Sequence, residues 1–394
     1  MSRTELLREV RMKRFEEVYD RWRRRRITQE EAGSILGVTA RTFRRWVARY
    51  EAGGLEALRD RRVTGPSPRR APPEEVAALE VLYRDGHTGW NVRHFHSEVY
   101  VAEQGGARSY TWVKDRLQEA ELVKRGRRKG SHRERRERKS AAGTMLHQDA
   151  STHEWVAGEC WDLVVTMDDA TGAVHSGFFV EEEGTWSSLR GIRETVEAQG
   201  LFDSLYTDRA SHYWHTPKAG GKVDKDSPTQ FGRAMAELGI GMIPGYSPQA
   251  RGRSERLFGT LQGRLPQELA RARITDMEEA NEFLQTFWPR FNASFAVSPK
   301  EPKSRFSPLV PSMKAKLPDI LCLKETRTVA NDNCVRYCGR TLQIPRQPHR
   351  CHYVRAKVEV HRYEDGAMAV FHDGRRLARY NALGRLQDRA AAAA

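Results

Sequence analysis

At 394 residues the chain is too long for a single compact core, and its length predicts roughly two to four domains. No stretch approaches the run of about 18 to 20 apolar residues that spans a bilayer, and the first residues are charged rather than an apolar signal. A soluble, cytoplasmic protein without a membrane partner is expected. The five cysteines, Cys160, Cys322, Cys334, Cys338 and Cys351, are odd in number and too sparse for a secreted disulfide scaffold. The net charge is +15, and residues 1–140 hold 34 Lys and Arg against 21 Asp and Glu, so most of the excess lies in the first third. Such a concentration is the electrostatic footprint of a polyanion, and a phosphate backbone rather than a small molecule is the expected partner.

Residues 5–26 read as an arginine-rich helix with Leu6, Val10, Phe15 and Val18 on a loosely apolar face. A sharper pattern follows. Thr28 and Glu31 form a capping box, a short helix runs to Leu36, Gly37 turns the chain, and Thr39 caps a second helix ending near Tyr50. Phe43, Trp46, Val47 and Tyr50 share one face of it, leaving Arg41, Thr42, Arg44, Arg45 and Arg49 for DNA. This is helix-turn-helix spacing, and the helix from Thr39 is expected in the major groove. Residues 1–60 are therefore assigned to a helix-turn-helix domain and 61–73, rich in Pro, Gly and Arg, to a linker.

A second helical, winged-helix-like domain is expected over 74–123. Val76, Leu79, Leu82 and Tyr83 form one face, Asn91 caps a helix through Phe95 and Val99, Gly105 and Gly106 stop it, and Ser109 caps another carrying Lys114. A basic strand would close the module. Between Lys124 and Lys139 ten of sixteen residues are Lys or Arg; this run, 124–143, reads as a basic linker in which Arg127, Arg128 and Lys129 lie along phosphates.

From Thr144 the texture changes to strands: Met145 to Asp149, Cys160 to Met167 and Val174 to Val180. A helix from Thr185 to Ala198, a strand from Leu205 to Asp208, a helix from Thr229 to Leu238 and a strand from Ile240 to Ile243 come next. A Gly- and Pro-bearing loop then leads to a helix with Glu255. That order predicts a mixed α/β sheet with helices packed on it, over residues 144–306. It also sets Asp149 and Asp208 at strand ends and Glu255 near a helix start. Three such acids are what a two-metal phosphoryl-transfer site requires, since Mg²⁺ prefers hard carboxylate oxygens. Asp162, Asp168 and Asp169 are rivals, but the last two precede Ala-Thr-Gly at a hairpin and read as turn formers.

The strings LHQDAS (146–151), Trp155, DDATG (168–172), LYTDRAS (205–211), TQFGRAMAELGI (229–240) and SPQARGRSERLFGTLQGRLPQEL (247–269) resemble insertion-sequence DDE transposases of the ISNCY type. The resemblance covers roughly residues 27–380. It implies a retroviral-integrase-like, ribonuclease-H-like core with Asp149, Asp208 and Glu255 as catalytic metal ligands for two Mg²⁺, or Mn²⁺ in their place. Arg251, Arg253 and Arg256 flank the glutamate as phosphate clamps, and Gln262 lies on its side of the helix, with Gly259 leaving room for DNA to approach.

Helices are expected over 276–306. Beyond 320 short strands recur, Val335 to Tyr337, Thr341 to Ile344, Ala356 to His361 and Ala367 to His372, with Asp365-Gly366 and Asp373-Gly374 as turns, which predicts a small β-barrel over 320–385. Cys334, Cys338, His349, Cys351 and His352 match no common zinc spacing, and no structural metal is expected. The sequence thus predicts a transposase acting on terminal inverted repeats and target DNA as a dimer or higher multimer. A DNA-binding regulator with an inactive core and a structure-specific nuclease of the same fold are the alternatives.

Overall fold

A computed structural model describes residues 3–58, 70–126, 136–218, 221–246 and 252–387. The chain divides into two units, Met1–Leu82 and Tyr83–Ala394.

In the first unit three helices, Arg3–Arg23, Gln29–Leu36 and Ala40–Ala57, surround an aromatic core of Phe15, Val18, Tyr19, Phe43 and Val47. The expected caps are present: Thr28 and Glu31 bond reciprocally, Gly37 takes the left-handed conformation, and Thr39 accepts from the Thr42 amide at 3.2 Å. Reciprocal hydrogen bonds from Tyr19 to Glu51 and from Tyr50 to Glu16, both 3.1 Å, tie the first helix to the third. The apolar face of the first helix differs from expectation at Val10, which is exposed; Tyr19 and Trp22 take part instead. The third helix leaves helical geometry at Gly53 and Gly54, close to the expected end near Tyr50, and a further short turn runs on to Ala57.

The second unit opens with a helical section. Asn91 caps the helix Val92–His94, which continues as a π-helical stretch, Phe95–Val101. Gly106 then passes close to Tyr100, where a Cβ would stand 2.4 Å from the ring. Ser109 caps Tyr110–Glu119, whose Val113 and Leu117 are buried. No strand follows in residues 120–126, so the expected closing wing is absent among the described residues. Arg127, Arg128 and Lys129 lie outside them.

The central sheet contains β1 (Leu146–Val156), β2 (Glu159–Asp168), β3 (Val174–Val180), β4 (Ser204–Thr207) and β5 (Gly241–Pro244) in the order β3-β2-β1-β4-β5. The first three are antiparallel, while β4 and β5 run parallel to β1 and to each other. β1 is longer than expected, because beyond Asp149 it stays hydrogen-bonded to β2 as a ribbon anchored by buried Trp155, whose indole donates to Trp161 O at 2.9 Å. One face of the sheet buries Leu163, Val165 and Met167 against the helices Ser254–Gln262, Leu265–Arg271 and Met277–Phe295. The other buries Leu146 and Leu205 against Thr185–Gln199 and Gln230–Glu237. At about 25 cal/mol per Å² of apolar area removed from water, these two layers are the main source of stability of the core.

Beyond the core, the helix Pro311–Ile320 leads to six strands: β6 (Leu323–Thr328), β7 (Cys334–Tyr337), β8 (Arg340–Gln343), β9 (Lys357–Arg362), β10 (Met368–His372) and β11 (Arg375–Tyr380). They form a four-stranded sheet, β11-β10-β9-β6, and a ribbon, β7-β8, over a shared core that includes Val335, Leu342, Val360 and Val370. Antiparallel strands were expected, but the hydrogen bonding among the described residues leaves the sheets open rather than closing a barrel.

Candidate active site

Asp149 lies within β1 and Asp208 directly follows β4. Leu146 is opposite Leu205 and His147 opposite Tyr206, and the same parallel register carried two residues further sets Asp149 level with Asp208. Alternate side chains of a strand take opposite faces. Gln148 turns to the Thr185–Gln199 side: its amide donates to Thr166 Oγ1 and Ser188 O, both at 3.1 Å, and its carbonyl oxygen accepts from the Tyr213 hydroxyl at 3.1 Å. Gly191 makes that approach possible, since a Cβ there would stand 2.5 Å from Gln148 Nε2. Burial, and then the charges of Glu183 and Asp149, drive the Tyr213 hydroxyl well above the usual phenol range, which keeps it a neutral donor.

His147, Asp149 and Ser151 take the opposite face, where the helix Ser254–Gln262 packs. Gln262 Nε2 donates to Ser151 Oγ at 3.0 Å. Arg253, just before the helix, is ion-paired with Asp169, its Nε 2.8 Å from Oδ1, and the same carboxylate oxygen meets His147 Nε2 at 2.7 Å. Glu255, exposed in the first turn, lies between these contacts and two turns before Gln262, hence on the same side of the helix. Asp208 accepts from the Ala210 amide at 2.8 Å, which turns the chain away from the strand end.

The donor set is all carboxylate, the chemistry Mg²⁺ takes, and its members stand on adjacent strands and the helix packed over one of them. Their side chains are not closed together: among the described residues no three His, Cys, Asp or Glu side chains are gathered closely enough to hold a metal ion. The rival acids have other partners. Asp168 accepts from the Gly143 amide at 3.0 Å and the Thr171 amide at 2.8 Å, as a turn former does. Asp162 accepts from Thr152 and from the Glu183 amide.

Asp169 is more than a turn former, and residue-type reasoning missed its role. Fully buried, it gathers Arg253, Arg136, His147 and the Lys139 amide. Burial opposes its charge, but the His147 hydrogen bond, the Lys139 amide and Arg253 outweigh it and hold the carboxyl at about 2. Arg253 is correspondingly buried and turned inward, its Nη2 donating to Arg136 O at 3.1 Å.

Of the other residues assigned to DNA, Arg41, Arg44, Arg45 and Arg49 are exposed on the third helix, opposite buried Phe43 and Val47. Thr42 is half-buried, with its hydroxyl 3.0 Å from Thr39 Oγ1. Lys114 pairs with Asp115 at 3.3 Å. Arg256 is exposed and its Nε donates to Gly252 O at 2.6 Å; Arg251 lies outside the described residues. Gly259 opens on empty space, where a Cβ would meet nothing within 4 Å. Cys334 is buried, its thiol bonded to Gln343 at 3.0 Å, while Cys338 and Cys351 are exposed.

A mixed sheet in the order 3-2-1-4-5 with helices on both faces, preceded in the chain by helix-turn-helix helices, defines a ribonuclease-H-like core behind a helix-turn-helix module. Comparison with known proteins gives that class its particular relatives. Residues 16–67 match a family model described as a helix-turn-helix domain, and residues 42–125 one described as a homeodomain-like domain. The chain is 28% identical over 349 residues, 88% of its length and 75% of the relative's, to "Putative transposase y4bF" of Sinorhizobium fredii. It is 29% identical over 303 residues to "Transposase for insertion sequence IS1202" of Streptococcus pneumoniae, covering 68% of this chain and 65% of that one. A solved structure, the simian T-cell lymphotropic virus intasome in complex with PP2A regulatory subunit B56 gamma, aligns with 75% of this chain and 98% of that one at 14% identity and a TM-score of 0.35. By sequence the chain is similar to these two transposases. Among the described residues no helix is long and apolar enough to cross a membrane.

Proposed function

We propose that the chain binds the terminal inverted repeats of an insertion sequence, cleaves the element ends by Mg²⁺-dependent hydrolysis and joins the freed 3′-hydroxyl to target DNA by strand transfer. The observation that carries this reading is the common register of Asp149 and Asp208 on neighbouring parallel strands, with the Glu255 helix held over the same face of β1.

Asp149, Asp208 and Glu255 would hold two divalent ions, Mg²⁺ or Mn²⁺, which when bound supply activation of the attacking oxygen and stabilisation of the leaving oxygen. The chain's own residues set the frame. Gln148, locked by Thr166, Ser188 and Tyr213, fixes the strand that carries Asp149. The turn at Ala210 fixes Asp208. In cleavage, a water oxygen attacks phosphorus and the 3′-oxygen leaves; in joining, that 3′-hydroxyl attacks a target phosphorus and a target 3′-oxygen leaves. No side chain forms a covalent intermediate in either step. Arg41, Thr42, Arg44, Arg45 and Arg49 are assigned to repeat recognition. Lys114, Arg127, Arg128, Lys129, Arg251, Arg256 and Gln262 complete the DNA-contacting set; Arg253, expected from sequence to clamp phosphate, is instead buried against Asp169 and is left out of it. Two ends must be paired before joining, so a dimer or higher multimer is the acting form.

Glu255→Gln tests the assignment. End binding should be retained, while cleavage and joining of a terminal-repeat duplex in Mg²⁺ fall by at least about 100-fold, the order seen when a charge-stabilising group is removed from a phosphoryl-transfer centre. Joining at the unchanged rate would remove Glu255 from the site. A wild-type chain that binds repeats but never cuts them would favour an inactive regulator.

A further inference from the structure

We propose that Asp169 is a positioning residue for this centre: it fixes the start of the Ser254–Gln262 helix, and with it Glu255, over β1, and ties that helix start to the basic segment 136–139. The inference rests on the functional reading above and adds to it a residue that does not itself face the reacting atoms.

The geometry is a two-point suspension. At one end Gln262 bonds to Ser151 at 3.0 Å. At the other, Arg253 and His147 share the Asp169 carboxylate oxygen at 2.8 and 2.7 Å. On β1 the two attachment points are His147 and Ser151, which flank Asp149 on one face. On the helix side they are Arg253 and Gln262, which flank Glu255. Losing either point leaves the helix less firmly held over β1, with Phe258 and Leu261 still packed, so that Glu255 can shift relative to Asp149.

Charge makes the Asp169 end depend on this one side chain. Arg136 also binds Asp169, the Lys139 amide donates to its other oxygen at 2.8 Å, and Arg138 donates to Ala170 O at 3.1 Å. Arg136 and Arg253 both stand against Asp169 Oδ1, so this one carboxylate oxygen lies between two guanidiniums. Without the carboxylate, the guanidiniums of buried Arg253 and part-exposed Arg136 would face each other with no anion between them, and one must leave. Either departure detaches the helix start from β1 or the basic segment from the core. The basic segment 136–139 is therefore joined to the start of the Glu255 helix through the buried Asp169 carboxylate and the hydrogen bond from Arg253 to Arg136 O.

The test uses the full chain with Asp169→Asn, Arg253→Gln, Arg253→Lys and the Asp169→Asn/Arg253→Gln double variant. Three quantities are read: binding to a terminal-repeat duplex, the Mg²⁺ concentration for half-maximal cleavage, and amide hydrogen exchange over residues 254–258 in metal-free protein. Asp169→Asn and Arg253→Gln should each leave duplex binding within about two-fold and raise the half-maximal Mg²⁺ concentration about 10- to 100-fold, the range found when a partner of a metal ligand is removed. Exchange at 254–258 should speed up in both, the double variant should add little to either single one, and Arg253→Lys should recover part of the loss. Unchanged Mg²⁺ dependence together with unchanged exchange overturns the proposal. If Asp169→Asn does not fold, Arg253→Gln decides alone, because it keeps Asp169 paired with Arg136 and His147. Should the wild type fail to cleave, the functional reading falls, while the exchange data still decide whether Asp169 positions the helix.

Discussion

Buried carboxylates test how far a residue's identity predicts its role. Asp168 and Asp169 are adjacent and identical in type, and both read from sequence as hairpin formers; Asp168 does form the turn, through Gly143 and Thr171. Asp169 differs because its partners arrive from residues 136–139 and 253, remote in the chain, and no local spacing encodes them. Its acidity has a consequence for stability. A carboxyl whose folded value is about 2, against an ordinary 3.8, stabilises the fold fully above pH 4 and loses that contribution as pH falls towards 2. At about 1.4 kcal/mol per unit this amounts to about 2 kcal/mol. Denaturant midpoints of the wild type and Asp169→Asn, measured between pH 6 and pH 3, should therefore converge as the pH drops. A gap that stays constant would mean the ion pairs contribute nothing to the acid limb.

Elements were legible where a local rule decided them. The caps at Thr28, Thr39, Asn91 and Ser109, the turn at Gly37 and the strand Val174–Val180 follow from residue type and short-range periodicity. Boundaries set by tertiary pairing did not follow. β1 runs past Asp149 because β2 stays beside it, and β6 and β11, which carry exposed arginines and no clean alternation of burial, gain strand character from β9 and β10. The candidate site shows the same division: the strand-end acids and the helix with Glu255 could be read from pattern, whereas the Gln262 and Arg253 attachments needed the packed structure. A local rule makes a local prediction. Thr39→Ala removes the acceptor for the Thr42 amide at 3.2 Å and should cost about 1 kcal/mol, speeding native-state exchange of the amides at 42–45 roughly five-fold. Exchange there at the wild-type rate would show that packing of Phe43 and Val47, not the cap, holds that turn.

Across the whole chain, the proposed recognition and the proposed chemistry fall in stretches of different charge. Most of the +15 lies in residues 1–140, and the four arginines Arg41, Arg44, Arg45 and Arg49 stand exposed opposite the packed side of one helix. The proposed acids occupy the nearly neutral remainder, where a carboxylate cluster would repel phosphate until cations screen it. Affinity and turnover should therefore respond to different substitutions. Each arginine that contacts a phosphate releases counterions on binding, contributing about 0.9 to the slope of log affinity against log salt. Replacing all four with Gln should lower that slope by about 2 to 4 for a terminal-repeat duplex, measured by fluorescence anisotropy across a salt series. Glu255→Gln should leave the slope unchanged and lose only cleavage. If the quadruple variant keeps the wild-type slope, the phosphate contacts belong to another surface, and the third helix is not the reader of the element end.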